Sequence, residues 1–324
     1  MSRVRLSRRT LFALSAMISV GLGAPAEAQV TEITLDFATY NPVGLVLKEK
    51  GWLEESLSPD GVSVRWVQSQ GSNKALEFLN AGSIDFGSTA GAAALVGRIN
   101  GNPIKSIYVY SRPEWTALVK PKGSPIGKVE DLKGKRIAVT RGTDPHIFLI
   151  RALADHGLSA DDVEFVLLQH ADGKAALVRG DVDAWAGLDP LMASAELESG
   201  AELFYRRPEL NSWGILNVRE AFAKENPQLV ERVLAAYEKA RKYAIEHPEE
   251  LTAALVKVAK LPENVIARQI ERTDIKYGAI GDEQRETILQ AGLALQKAGV
   301  VDAKVDVKAA LDSLIDSSFK LPGS

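Results

Sequence analysis

Residues 135–153, KRIAVTRGTDPHIFLIRAL, decide the fold. The first six read as a strand. Thr143 or Asp144 is then a good helix N-cap, and Pro145 suits the first helical position, where its missing N–H costs nothing. A strand entering a helix through a short polar turn is half of a strand–helix–strand unit. The pattern recurs with EITLDFAT (32–39), VSVRWVQS (62–69), IDFGST (84–89), IKSIYVYS (104–111), VEFVLLQ (163–169) and VDAWAGL (182–188) as strands. The segments between them carry apolar residues at helical spacing. Repeated units of this kind predict an α/β fold with mostly parallel sheets and right-handed crossovers. From Asn226 on the pattern turns helical: NPQLVERVLAAYEKARKYAIEH puts Leu229, Val230, Val233, Leu234 and Tyr237 on one face.

The N-terminus has a different logic. Arg3, Arg5, Arg8 and Arg9 precede a short apolar run, Leu11 to Ala24, and Ala26-Glu27-Ala28 is a small-x-small cleavage pattern. The run is too short to cross a hydrocarbon layer of roughly 30 Å, so residues 1–28 read as an export signal. Ser7-Arg8-Arg9-Thr10-Leu11-Phe12 is compatible with twin-arginine export as well as general secretion. Removing 28 of 324 residues leaves 296, a length suited to two lobes. The absence of cysteine excludes disulfides, thiolate metal sites, a catalytic thiol and a lipidated N-terminal cysteine. An exported, unlipidated, soluble protein of the periplasm is expected. Loss of four Arg and one Glu takes the formal charge from −3 to −6, which gives no electrostatic footprint for nucleic acid.

Two Pro-interrupted polar stretches, SRPEWT (111–116) and RRPELNSW (206–213), are the expected crossings between lobes. They divide the chain into one lobe of 30–114 plus 213–324 and another of 115–212.

Catalytic patterns are missing. There is no G-x-S-x-G elbow, Walker A loop, mature dinucleotide fingerprint or H-E-x-x-H, and the four histidines lack metal-ligand spacing. No catalytic residue, metal or cofactor is expected. What recurs is the helix start. Asn41-Pro42, Asp144-Pro145 and Asp189-Pro190 each pair an N-cap residue with proline after a strand, and Ser69-Gln70-Gly71-Ser72 and Ser88-Thr89-Ala90-Gly91 occupy two more junctions. Helix N-termini present free N–H groups and about half a unit of positive charge, which suits an oxyanion. Tyr40, Trp115, Trp185 and Trp213 lie at strand ends or crossings and are candidate walls of a pocket.

These residues carry a resemblance. TYNPVGLVLKEKGWLEE, ALEFLNAGSIDFGSTAGAA, LKGKRIAV and GDVDAWAGLDP resemble the periplasmic substrate-binding proteins of ABC importers for aliphatic sulfonates, within a group that includes taurine, nitrate and thiamine-precursor binders. The resemblance implies a periplasmic binding protein-like (type II) fold: two α/β lobes, two crossover segments, a helical C-terminal part, and closure over a ligand. It implies a monomer that delivers a sulfonate or related organosulfur anion to an inner-membrane permease. The anion site would fall on Ser88, Thr89, Ala90 and Gly91 of one lobe and Gly142, Thr143 and His146 of the other, with Trp185 and Asp189 facing the organic part. Tyr40, Asn41, Gln70, Asp144 and Trp213 complete the candidate set. Two departures stand out: Asp144 as a cap would compete with an anion at its own helix start, so either it turns away with Thr143 capping or the ligand brings a cation or hydroxyls to meet it, and Gly187-Leu188 replaces an aromatic before the aspartate. A binder of aromatic or pyrimidine-type compounds, and an enzyme on the same fold, are the alternatives.

Overall fold

The computed structural model describes residues 30–322; the export signal expected over 1–28 lies outside them. Eleven strands are present among the described residues: β1 (Glu32–Phe37), β2 (Ser63–Gln68), β3 (Phe86–Ala90), β4 (Ile104–Pro113), β5 (Leu118–Lys120), β6 (Arg136–Val139), β7 (Glu164–Leu167), β8 (Ala184–Ala186), β9 (Glu202–Tyr205), β10 (Gly214–Arg219) and β11 (Thr273–Asp274). They form two sheets, ordered β11-β4-β10-β3-β1-β2 and β7-β6-β8-β5-β9, each the centre of one α/β lobe.

Both sheets are mixed, where mostly parallel ones were expected. β1 runs parallel to β2 and β3, and β6 to β7 and β8. β10 pairs antiparallel with β3 and β4, and β5 antiparallel with β8 and β9. The reason is the route of the chain. It passes from the first sheet to the second between Pro113 and Leu118, and returns between Tyr205 and Gly214. A strand that arrives from the other lobe enters at the carboxyl end of the parallel strands, so it must run against them.

Strand position explains residue choice. The edge strand β2 alternates exposed and half-buried residues, and its Arg65 pairs with Glu32 at 2.9 Å. The inner strand β1 is covered on both faces, so Thr34 and Asp36 are buried along with Ile33 and Leu35. In β6, Ile137 and Val139 pack with Phe148 and Leu149 on one face, while Ala138 joins Trp185, Ala176 and Leu177 on the other. Each large apolar side chain so enclosed contributes about 1.5–3 kcal/mol.

The helical C-terminal part caps the first sheet. Helix Pro227–Glu246 buries Val230, Val233, Leu234, Tyr237 and Ala240 at helical spacing, and the Tyr237 ring lies 5.5 Å from that of Tyr108 in β4. Among the described residues no helix is long and apolar enough to cross a membrane.

Candidate functional site

The carboxyl ends of β1, β2, β3, β6, β7 and β8 bring most of the candidate residues to one region, but the chemistry there differs from the sequence-based picture. Asp36 organises the first lobe's side. Its carboxylate accepts from Ser69 Oγ at 2.6 Å, Ser88 N at 2.8 Å and Ser88 Oγ at 2.8 Å. Burial outweighs these bonds and pushes its pKa up to about 6. Tyr40 Oη lies 3.1 Å from Ser69 Oγ and donates to the Ser88 carbonyl at 3.2 Å. Asn41 caps helix Pro42–Lys50 by accepting from Gly44 N at 2.9 Å, and its amide donates to Ser88 Oγ at 2.7 Å.

The expected anion donors of this lobe are therefore engaged. Ser88 N–H belongs to Asp36, Ala90 N–H to Ser72 Oγ at 3.0 Å, Gly91 N–H to the Ser212 and Trp213 carbonyls, and Ala92 N–H to Ser212 Oγ. Thr89 Oγ1 accepts from Asn217 at 2.8 Å. A second anion would also meet the Asp36 carboxylate behind Ser88. Gln70 is exposed.

On the second lobe Asp144 is the first residue of helix Asp144–Asp155, one place later than a cap, and turns away from the helix start. Its carboxylate accepts from Trp115 Nε1 at 2.8 Å, Ser212 N at 3.0 Å and Ser212 Oγ at 2.5 Å, joining both crossover segments. Burial raises its pKa against the pull of these donors. Thr143 holds the N-cap position through its backbone, and its hydroxyl donates to the Thr140 carbonyl at 2.7 Å. Neither side chain caps, because each has a closer tertiary or turn partner. The competition expected of Asp144 does not arise at its own helix start. Gly142, at φ +78°, supplies the left-handed turn that a side chain would strain.

Three further expectations change. The helix after β8 begins at Leu191, the Asp189–Pro190 bond is cis, and Asp189 Oδ1 accepts from Ala193 N at 2.8 Å. Asp189 Oδ2 lies 3.4 Å from Arg272, which also binds Glu196 at 2.6 Å, so this aspartate belongs to a buried clasp between the lobes. Burial pushes its pKa up to about 7 despite Arg272. Trp185 is enclosed in the second lobe's core beneath the helix that starts at His170. His146 sets its ring 5.9 Å from Phe165, and burial with Arg141 lowers its pKa to about 4. Trp213, at φ +63°, stacks edge-on against Tyr277 at 4.8 Å beside Arg112.

Between the two lobes lies a small cavity of about 10 Å³, room for a single water-sized body. Tyr40 and Ser72 line it from the first lobe; Trp115, Thr143, Asp144, Pro145, His170 and Leu188 complete the wall. Helices Ser72–Asn80, Asp144–Asp155 and His170–Arg179 all begin at this wall, and none has a side-chain cap. Pro145 has no N–H, and the Lys74 and His146 N–H groups reach the Gly71 and Thr143 carbonyls, so the groups left without intrahelical acceptors include those of Ser72 and Asn73, of Asp144, and of His170 and Ala171. The residues that sequence reasoning missed are Asp36, which strand alternation disguised, and His170. The second was accessible: LLQHADG is the same strand-to-helix junction as the others.

Residues 42–251 match the family model described as NMT1/THI5 like. The chain belongs to the NMT1/THI5-like family. It is 31% identical over 261 residues to a putative aliphatic sulfonates-binding protein of Escherichia coli (strain K12), covering 80% of this chain and 82% of that relative. The periplasmic aliphatic sulphonate binding protein SsuA of Escherichia coli superposes with a TM-score of 0.75 at 27% identity, over 91% of this chain and 95% of its own. The alkanesulfonate-binding protein SsuA of Xanthomonas axonopodis pv. citri, solved with MOPS, gives 0.80 at 24%, over 90% and 100%. The fold is that of periplasmic binding proteins. An open hollow of about 480 Å³ lies beside the crossovers, lined by Arg112, Glu114, Pro208, Arg272 and Lys276 among others. It lacks the helix starts that distinguish the interlobe cavity.

Proposed function

We propose that the protein is the solute-binding component of an ABC importer and that it binds a sulfonate or related organosulfur anion between its lobes for delivery to a membrane permease. The convergence of three uncapped helix starts on one cavity carries this reading. Such ends attract oxyanions through N–H groups and the helix dipole, with no need for lysine or arginine. The anion head sits against the starts at Ser72, Asp144 and His170, while Ser88–Gly91 stiffens the wall behind. Gly142 and Thr143 shape the second lobe's side, and Tyr40, Trp115 and Leu188 cover the organic part.

The lobes, 30–114 plus 213–324 and 115–212, part by rotation about the two crossovers to admit the ligand and close again over it. The protein works as a periplasmic, unlipidated monomer and performs no chemistry on its cargo. Its relatives' names as sulfonate-binding proteins support the ligand class.

Thermal unfolding with ethanesulfonate, taurine, a sulfate ester and MOPS tests the reading. A ligand at a hundredfold above its Kd adds about 2.7 kcal/mol and raises Tm by several degrees. No shift with any of these oxyanions sinks the proposal.

A further inference from the structure

His170 is the first residue of a ten-residue helix and is 3% exposed, yet neither ring nitrogen has a hydrogen-bond partner. A buried polar side chain without partners is uncommon, because each such group forgoes its water without compensation. The ring also lines the interlobe cavity. Across the seam, in the first lobe, Asn73 Oδ1 is likewise buried and unpartnered. Both atoms flank one point: a Cβ placed on Gly71 would lie 2.8 Å from Asn73 Oδ1 and 3.1 Å from His170 Nε2. Gly71 has an extended backbone, at φ 161°, that any residue adopts, so its missing side chain matters here for space.

We propose that His170 and Asn73, whose unpartnered polar atoms close in on the same side of Gly71, form a polar subsite that takes a hydroxyl substituent of the bound sulfonate.

The chemistry follows from what each atom lacks. Asn73 Oδ1 is an acceptor and needs a donor, which the oxygens of a sulfonate cannot be. A neutral imidazole has one donor and one acceptor nitrogen, so it matches a group that both donates and accepts. Burial holds the His170 pKa down to about 3, so the ring is neutral at ordinary pH. Two groups meet the description, a hydroxyl and an amine. An ammonium is the poorer match, because the uncapped helix starts at Ser72 and His170 put positive potential at the same seam. A plain alkyl chain would leave both side chains unpartnered in the closed protein.

This inference rests on the sulfonate reading, and calorimetric titration separates the two. The probes are ethanesulfonate, 2-hydroxyethanesulfonate and taurine, on the full exported chain. The hydroxylated ligand is expected to bind at least tenfold more tightly than ethanesulfonate, with taurine weaker than the hydroxyl compound. His170→Phe, which keeps ring volume and removes both nitrogens, should bring that ratio close to one. Gly71→Ala pushes Asn73 and His170 apart and should lower the ratio with the histidine intact; His170→Gln, which keeps a donor and an acceptor, should retain part of it. Equal binding of the two ligands by the wild type, a preference for taurine, or a preference that survives both His170→Phe and Gly71→Ala overturns the subsite and leaves the sulfonate reading standing. Failure of all three probes to bind overturns the subsite, and the sulfonate reading falls with it if the sulfate ester and MOPS also fail.

Discussion

Two junctions in the first sheet carry the same local features and end in opposite conditions. After β3 the chain enters helix Gly91–Ile99, and after β2 it enters helix Ser72–Asn80. Both turns are built of small and hydroxyl residues, and neither helix has a side-chain cap of its own. At the first, the N–H groups of Ser88, Ala90, Gly91 and Ala92 all reach protein acceptors, three of them on Asp36 or Ser212. At the second, the helix opens at the interlobe cavity and Ser72 supplies one of those acceptors. A helix start is a binding site only when nothing in the protein has already claimed its donors.

The largest expected effect falls on the claimed junction. Asp36→Ala removes the acceptor of Ser88 N, Ser88 Oγ and Ser69 Oγ at once, and should cost about 3 kcal/mol in a urea titration. A loss below about 1 kcal/mol would mean the Ser88 donors are free for ligand, and the contrast would fail. The same carboxylate predicts a pH dependence. Its pKa is raised on folding to about 6, so the folded state binds more protons than the unfolded chain between pH ~4 and ~6. Its contribution favours folding below that window and declines as pH rises through it. Asp36→Asn should flatten that part of the stability profile, with the slope from Asp189, raised to about 7, remaining.

A paired substitution sharpens the difference. A Cβ at Gly91 would stand 2.5 Å from both the Ser212 carbonyl and Ile288 Cδ1, so Gly91→Ala should cost about 2 kcal/mol through overpacking. At Gly71 the near atoms are the ends of Asn73 and His170, which can shift, so Gly71→Ala should cost under ~1 kcal/mol. Equal costs in thermal unfolding would erase the distinction between the junctions. Ser72→Ala, which leaves Ala90 N–H unpaired, should cost about 1 kcal/mol, between the two glycine substitutions.

Much of this was legible beforehand. The strand-to-helix rhythm located the elements, the two Pro-interrupted stretches lie where the chain changes sheets, and Asn41 caps its helix as its residue type suggests. Where the local pattern leaves a choice or misleads, distant partners decide. Asp144 can cap its helix or turn away from it, and Trp115 and Ser212, residues 29 and 68 positions away, decide for turning away. Asp189 looked like an ordinary cap, and Arg272, 83 positions later, made it half of a clasp. Trp185 looked like a pocket wall because strand ends favour ligands, but strand alternation turned it into the core.

The sequence by itself determined the α/β class, the order of the elements and the presence of several helix starts at strand ends. These follow from periodicity, capping residues and proline, whose effects act within a few residues. Only the tertiary structure decided which helix starts keep their N–H groups and which polar side chains stay unpaired. A hydrogen-bond donor is used once, and the acceptor that uses it here comes from elsewhere in the chain: Asp36 for Ser88, Ser212 for Ala92, and no protein partner for His170.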